Sequence, residues 1–142
     1  MAYYNCIYNN DDIIGIGDNF NVSLTGSHNK TTTATVCYID KTTVCLLGDI
    51  SLGNANLSTA CAYAWNYVIN INNKKYTGTC RIPTLEQITS KCAGYKRSFD
   101  YWLSTYSNAS NYWYVYKSGS VNPVNTVSFV NASTLPFIEI TL

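Results

Sequence analysis

Residues 78–92 read Gly78-Thr79-Cys80-Arg81-Ile82-Pro83-Thr84-Leu85-Glu86-Gln87-Ile88-Thr89-Ser90-Lys91-Cys92. Thr84 with Gln87 three residues on makes a capping box, in which each side chain satisfies an orphan N–H at a helix start. Pro83 and Ile88 supply the flanking apolar staple. Leu85, Ile88 and Cys92 then share one face of a short helix that Gly94 stops. What lies on either side of this helix sets the fold class.

Upstream, Leu57, Ala60, Cys61, Ala64, Val68 and Ile71 recur at helical spacing. They predict a first amphipathic helix with Asn56 as N-cap, ended by the polar run Asn70–Lys75 and Gly78. Before it, Val36-Cys37-Tyr38-Ile39, the turn Asp40-Lys41-Thr42 and Val44-Cys45-Leu46-Leu47 read as a β-hairpin. A turn at Gly53-Asn54-Ala55-Asn56 follows. Residues 1–32 look different: a turn cluster at Asn9-Asn10-Asp11-Asp12, short strand candidates at Ile13–Gly17 and Asn21–Leu24, and Thr31-Thr32-Thr33 leading into the hairpin. We read residues 1–32 as an N-terminal β extension or attachment arm and 33–142 as the domain. The first strands of one continuous domain are the other reading.

Downstream the pattern is β. Tyr101–Thr105 is a strand. Tyr112–Tyr116 alternates Trp113 and Val115 against Tyr112, Tyr114 and Tyr116. A turn at Ser118-Gly119-Ser120 and a loop at Asn122-Pro123 precede strands at Thr126–Val130 and Phe137–Leu142. Two helices followed by a run of strands predict an α+β fold, with the helices packed on a twisted antiparallel sheet.

In this order the motifs resemble the DUF1566 or Fibrobacter-paralogue type of C-type-lectin-like domain. That family's "WRLPT-x-EEL" segment corresponds to Cys80-Arg81-Ile82-Pro83-Thr84-Leu85-Glu86-Gln87-Ile88, and its "YWSST" to Tyr101-Trp102-Leu103-Ser104-Thr105. Its "AWYV…G" strand and turn correspond to Tyr112-Trp113-Tyr114-Val115-Tyr116-Lys117-Ser118-Gly119. The resemblance runs from Val36 to Leu142. Two positions depart from it: Cys80 stands where the family has Trp, and Phe137-Ile138-Glu139-Ile140 replaces a closing "VRPV". The resemblance implies a C-type-lectin-like fold of the kind found on bacterial surface proteins and in fibre or tip proteins of tailed phages. Some members are diversified by retroelements.

Composition narrows the partners. The chain has 142 residues, enough for one domain with its own core, but only 12% are charged and the formal net charge is +1. Nothing in that balance draws nucleic acid or an anionic membrane. The start, Met1-Ala2-Tyr3-Tyr4-Asn5, has no basic flank or apolar core, so no secretory signal is expected, and no stretch reaches membrane-span length. The 13 Tyr, with Ser, Asn and Gly, form a binding-surface palette. An AT-rich genome, whose codons enrich Asn and Tyr throughout, is the alternative source. The six Cys form no CxxC pair, which speaks against zinc and, with cytosolic synthesis, for mostly free buried thiols. Cys37 and Cys45 are placed to face each other across the hairpin.

The acids are sparse: eight in all, with only Glu86, Asp100 and Glu139 after Asp49. No carboxylate-rich loop suited to Ca²⁺ is present, and Asn122-Pro123 lacks an acidic neighbour. The one His, His28, reads as a solvated loop residue with no Ser, Cys or Asp partner. Asp11 and Asp12 are adjacent in a turn and unsuited to paired acid–base work. We therefore expect no enzyme, no catalytic residue, no metal and no cofactor.

The resemblance implies that the late strands and their loops carry the ligand surface. The expected ligand-binding residues are Tyr106, Asn108, Ser110, Asn111, Tyr112, Tyr114, Tyr116, Ser118, Ser120, Asn122 and Asn125. The tyrosine face of Tyr112, Tyr114 and Tyr116 should meet a ligand, the N-terminal arm or a neighbouring subunit, while Trp113 and Val115 join Trp102 and Leu103 in the core. Residues 106–125 also have the Asn, Tyr and Ser content that adenine-directed diversification favours, as does the rest of the chain. The expected role is a phage virion module, made in the bacterial cytoplasm, that contacts a host surface glycan or protein or other virion proteins, without nucleic acid or membrane insertion. Analogy with phage fibres suggests a homotrimer. A purely architectural virion protein and a bacterial cell-surface adhesin domain are the alternatives.

Overall fold

The computed structural model describes residues 6–9, 12–93, 95–125 and 131–142. The hairpin lies at its centre: β4 (Lys30–Ile39) and β5 (Thr43–Gly48) pair antiparallel around the Asp40–Thr42 turn. The Asp40 side chain builds that turn, with Oδ1 accepting from the N–H groups of Thr42 and Thr43 at 2.9 Å each. Pairing slips between Val36 and Tyr38, so Cys37 occupies a bulge and Tyr38, not Cys37, stands opposite Cys45. The two thiols therefore do not face each other in register.

Before the hairpin come β1 (Cys6–Asn9), β2 (Asp12–Gly15) and β3 (Asn19–Gly26); β1 and β2 form their own two-stranded sheet. After it come a 3-10 turn (Ile50–Leu52), β6 (Asn54–Ala55), α1 (Leu57–Ala62), β7 (Trp65–Ile71), β8 (Lys74–Cys80) and α2 (Leu85–Lys91). β9 (Tyr101–Asn108), β10 (Asn111–Val115), β11 (Val121–Asn125), β12 (Ala132–Ser133) and β13 (Phe137–Thr141) complete the chain. The class is α+β, dominated by strands, with two short helices.

Six strands form one antiparallel sheet in the order β13-β5-β4-β3-β7-β8. Its two edges meet at an Arg81–Phe137 bridge, where the Phe137 N–H donates to the Arg81 carbonyl at 2.9 Å. The sheet thus curls, and its inner face buries Val22, Leu24, Val36, Leu46, Trp65, Ile69 and Ile138. Strand β3 is internal to this sheet, and the boundary expected between residues 32 and 33 falls inside β4.

The outer face of the hairpin is buried as well. Cys37, Cys45, Leu47 and Phe137 pack with Ile88 and Cys92 at α2 and with Tyr101, Leu103 and Val115 of the second sheet. That sheet has the order β11-β10-β9-β12-β6. Cover on both faces is why the hairpin arms read as unbroken apolar runs.

The helix expected over Leu57–Ile71 forms only at α1, where Asn56 Oδ1 accepts from the Thr59 N–H at 2.9 Å as expected of its cap. From Trp65 the chain is β7, with Trp65, Tyr67, Ile69 and Ile71 buried and Asn66, Val68 and Asn70 exposed. That two-residue period outweighs the helical coincidence of Ala64, Val68 and Ile71, and the β-branched residues favour it. The polar run is a two-residue hairpin turn, with Asn72 and Asn73 at φ 52° and 66°. Gly78 faces Tyr67 across the pair; a Cβ there would stand 2.7 Å from the Tyr67 hydroxyl. Asn54–Ala55, expected in a turn, is the short edge strand β6.

At α2 the reading holds: the Gln87 N–H donates to Thr84 Oγ1 at 3.1 Å and the Thr84 N–H to Gln87 Oε1 at 2.9 Å. Strands at Tyr101–Thr105, Tyr112–Tyr116 and Phe137–Leu142 are found as β9, β10 and β13. The expected strand Thr126–Val130, the helix stop at Gly94, and Asn10 and Asp11 lie outside the described residues.

Candidate functional site

The β9–β10 hairpin ends in a tip that carries most of the expected contact residues. Asn108 shapes it: Oδ1 accepts from the N–H groups of Ser110 and Asn111 at 3.1 Å each. Asn108 is thus an exposed turn-builder. Tyr106 stands opposite Tyr112, with ring centroids 5.9 Å apart at 51°. Four large apolar side chains among the described residues are exposed, and Tyr106 is the most open, at 66%. On the next strand Asn125 pairs with Asn111, and Val124 with Tyr112. Residues 101–116 contain no charged side chain. Two tilted phenol rings rimmed by amides and hydroxyls can stack on and hydrogen-bond a neutral partner.

The three-tyrosine outer face does not form. Tyr114 is 3% exposed and packs edge-on against Trp102 (5.3 Å) and Tyr116 (5.0 Å). Burial first, then Asp100, pushes its hydroxyl up to about 12. The cause is pairing: Tyr114 lies opposite Trp102, whose indole N–H donates to the Ala55 carbonyl at 3.0 Å, so both rings join the core. Tyr112 and Tyr116 are half-buried. Trp113 and Val115 lie toward the other core as expected, while Trp102 and Leu103 divide between the two.

Geometry also divides the remaining residues. Tyr106, Asn108, Ser110, Asn111, Tyr112 and Asn125 gather at the tip. Ser118 and Ser120 sit on the β10–β11 turn at the opposite end of β10, about 13 Å away by strand rise. Asn122 lies between, opposite Tyr114.

Sequence reasoning missed two features. A cleft of about 610 Å³ opens beside Tyr114, lined by Ile50, Asn54, Phe99, Asp100, Lys117 and Ser133 among others. Its residues come from four separate stretches, 50–54, 98–100, 114–117 and 131–133, so no local pattern announces it. His28 is also not a solvated loop residue: its Nδ1 accepts from the Trp65 indole N–H at 2.9 Å, and its ring meets Tyr63 edge-on at 4.7 Å.

Burial raises the thiols of Cys45 and Cys80 to about 12, so in the resting fold these two are poor nucleophiles; half-buried Cys61 is raised as well. Among the described residues no three His, Cys, Asp or Glu side chains converge as metal ligands, and no helix is long and apolar enough to cross a membrane. Comparison of the chain with protein-family models, curated proteins and solved structures finds no match.

Proposed function

We propose that this chain is a non-enzymatic recognition module, a structural or receptor-binding part of a phage virion. In this reading the β9–β10 tip contacts a host surface glycan or protein, or another virion protein. The C-type-lectin-like assignment belongs to the same proposal and rests on the motif order Arg81–Glu86, Tyr101–Thr105 and Tyr112–Gly119. The observation that carries the functional reading is the exposed Tyr106 ring, paired with half-buried Tyr112 on an uncharged tip. Exposing aromatic area costs solvation unless a partner covers it, and neutral rims favour hydroxyl-rich or amide-rich surfaces over ions. Both cores anchor the hairpin at its base, so the tip is presented on a rigid support.

The test is binding of the fluorescently labelled chain to a panel of bacterial surface polysaccharides and whole cells. Tyr106→Ala with Tyr112→Ala should lower affinity at least about tenfold, the loss expected of two aromatic contacts. Equal binding by the variant, or no binding by the native chain, contradicts the reading.

A further inference from the structure

We propose that Cys37 and Cys92 are a disulfide-forming pair, a covalent latch between the bulge of β4 and the C-terminal end of α2. The two sulfurs lie 3.1 Å apart although 55 positions separate the residues, and both are buried, at 1% and 0% exposure. The bulge makes this possible, because it turns Cys37 out of register with Cys45 and toward the helix. Cys37 meets the carbonyl of Cys45 at 3.4 Å, not its sulfur. The neighbouring residues hold the same two elements together: the Lys91 ammonium sits 4.1 Å from the centroid of the Tyr38 ring. Bond formation asks the sulfurs to close by about 1 Å, a movement within reach of side-chain torsions. The inference does not depend on the proposed recognition role.

The oxidant is a low-molecular-weight disulfide such as oxidised glutathione. The thiolate of one cysteine attacks it, forming a mixed disulfide and releasing one glutathione thiolate. The other cysteine, deprotonated, attacks the protein-bound sulfur, closes the Cys37–Cys92 bond and releases the second glutathione. The pair loses two electrons and two protons, and one disulfide becomes two thiols. The first attack requires α2, only seven residues long, to open locally. The hydrogen bond shared with Cys92, and then burial, hold the Cys37 thiol above the ordinary range, so closure should quicken with rising pH.

The test uses the full chain incubated with oxidised glutathione at mildly alkaline pH, alkylated in denaturant and mapped by mass spectrometry without reduction. The expected product is a Cys37–Cys92 linked peptide, reversible by dithiothreitol, in a chain that melts on the order of 10 °C higher than the reduced form. Cys45→Ala should retain the link and Cys92→Ala should lose it. Half-buried Cys61 reports that the oxidant is competent. The proposal is overturned if Cys61 reacts while Cys37 and Cys92 stay unlinked, if Cys37 links to Cys45 instead, or if the linked chain melts lower.

Discussion

Tyr101 is wholly enclosed, and its hydroxyl has no hydrogen-bond partner among the described residues. Burial is the main reason its ionisation is pushed far above the ordinary tyrosine range. An orphaned buried hydroxyl costs about 1–3 kcal/mol, so Tyr101→Phe should stabilise the chain by about 1 kcal/mol in denaturant melts. A tyrosine on the neighbouring strand makes the opposite case. Tyr114→Ala should cost about 3–5 kcal/mol by leaving a cavity against Trp102, whereas Tyr106→Ala should shift stability by less than about 0.5 kcal/mol. Alternation along Tyr112–Tyr116 was legible and correctly separated Tyr114 from Trp113 and Val115. It could not say that both faces are covered at that level, because the residues that share a buried cluster with Tyr114, such as Leu52 and Ile138, are distant in sequence. His28 was illegible for a similar reason. Its partner Trp65 lies 37 positions on, and His28→Ala should cost about 1–3 kcal/mol by orphaning the buried indole N–H.

Elements were legible where local chemistry closes on itself. The capping box of α2, the cap of α1 and the Asp40 turn are each specified within a few residues, and each is present as read. Asp40 also carries a pH signature. Tyr38, whose hydroxyl donates at 2.7 Å, and then the Thr42 N–H lower its carboxyl to about 2 from an ordinary 3.8. A depressed carboxyl stabilises the fold above its unfolded value and loses that contribution as pH falls through the folded one. Thermal stability should therefore decline between about pH 4 and 2, and Asp40→Asn, which keeps the Oδ1 acceptor, should flatten that decline. β7 was misread because Leu57–Ile71 satisfies a helical stripe at six positions, while its strand period is confined to seven residues. The Asn72-Asn73 turn was the signal that could have corrected it, since two residues tolerant of positive φ mark a hairpin.

At the scale of the molecule, the two buried clusters share the β4–β5 hairpin, one on each of its faces. That arrangement was only partly readable. The apolar runs announced a strand pair buried on both sides, but the closure of the six-stranded sheet at Arg81–Phe137 joins positions far apart in the chain. Segment 19–26 gave no local sign that it threads the middle of that sheet. The candidate site was legible as a neutral, aromatic late hairpin; its division into a tip and a distant turn follows from the β10–β11 register. If the tip is the contact surface, the rest of the molecule serves to hold it rigid. The most direct measurement is a ¹⁵N–¹H NMR titration of the full chain with the bacterial surface polysaccharide that it binds best. Perturbations confined to residues 104–112 and 124–125, and absent from Tyr106→Ala, are what this account predicts. Perturbations centred on the Phe99–Asp100 cleft, with the tip unchanged, would contradict it.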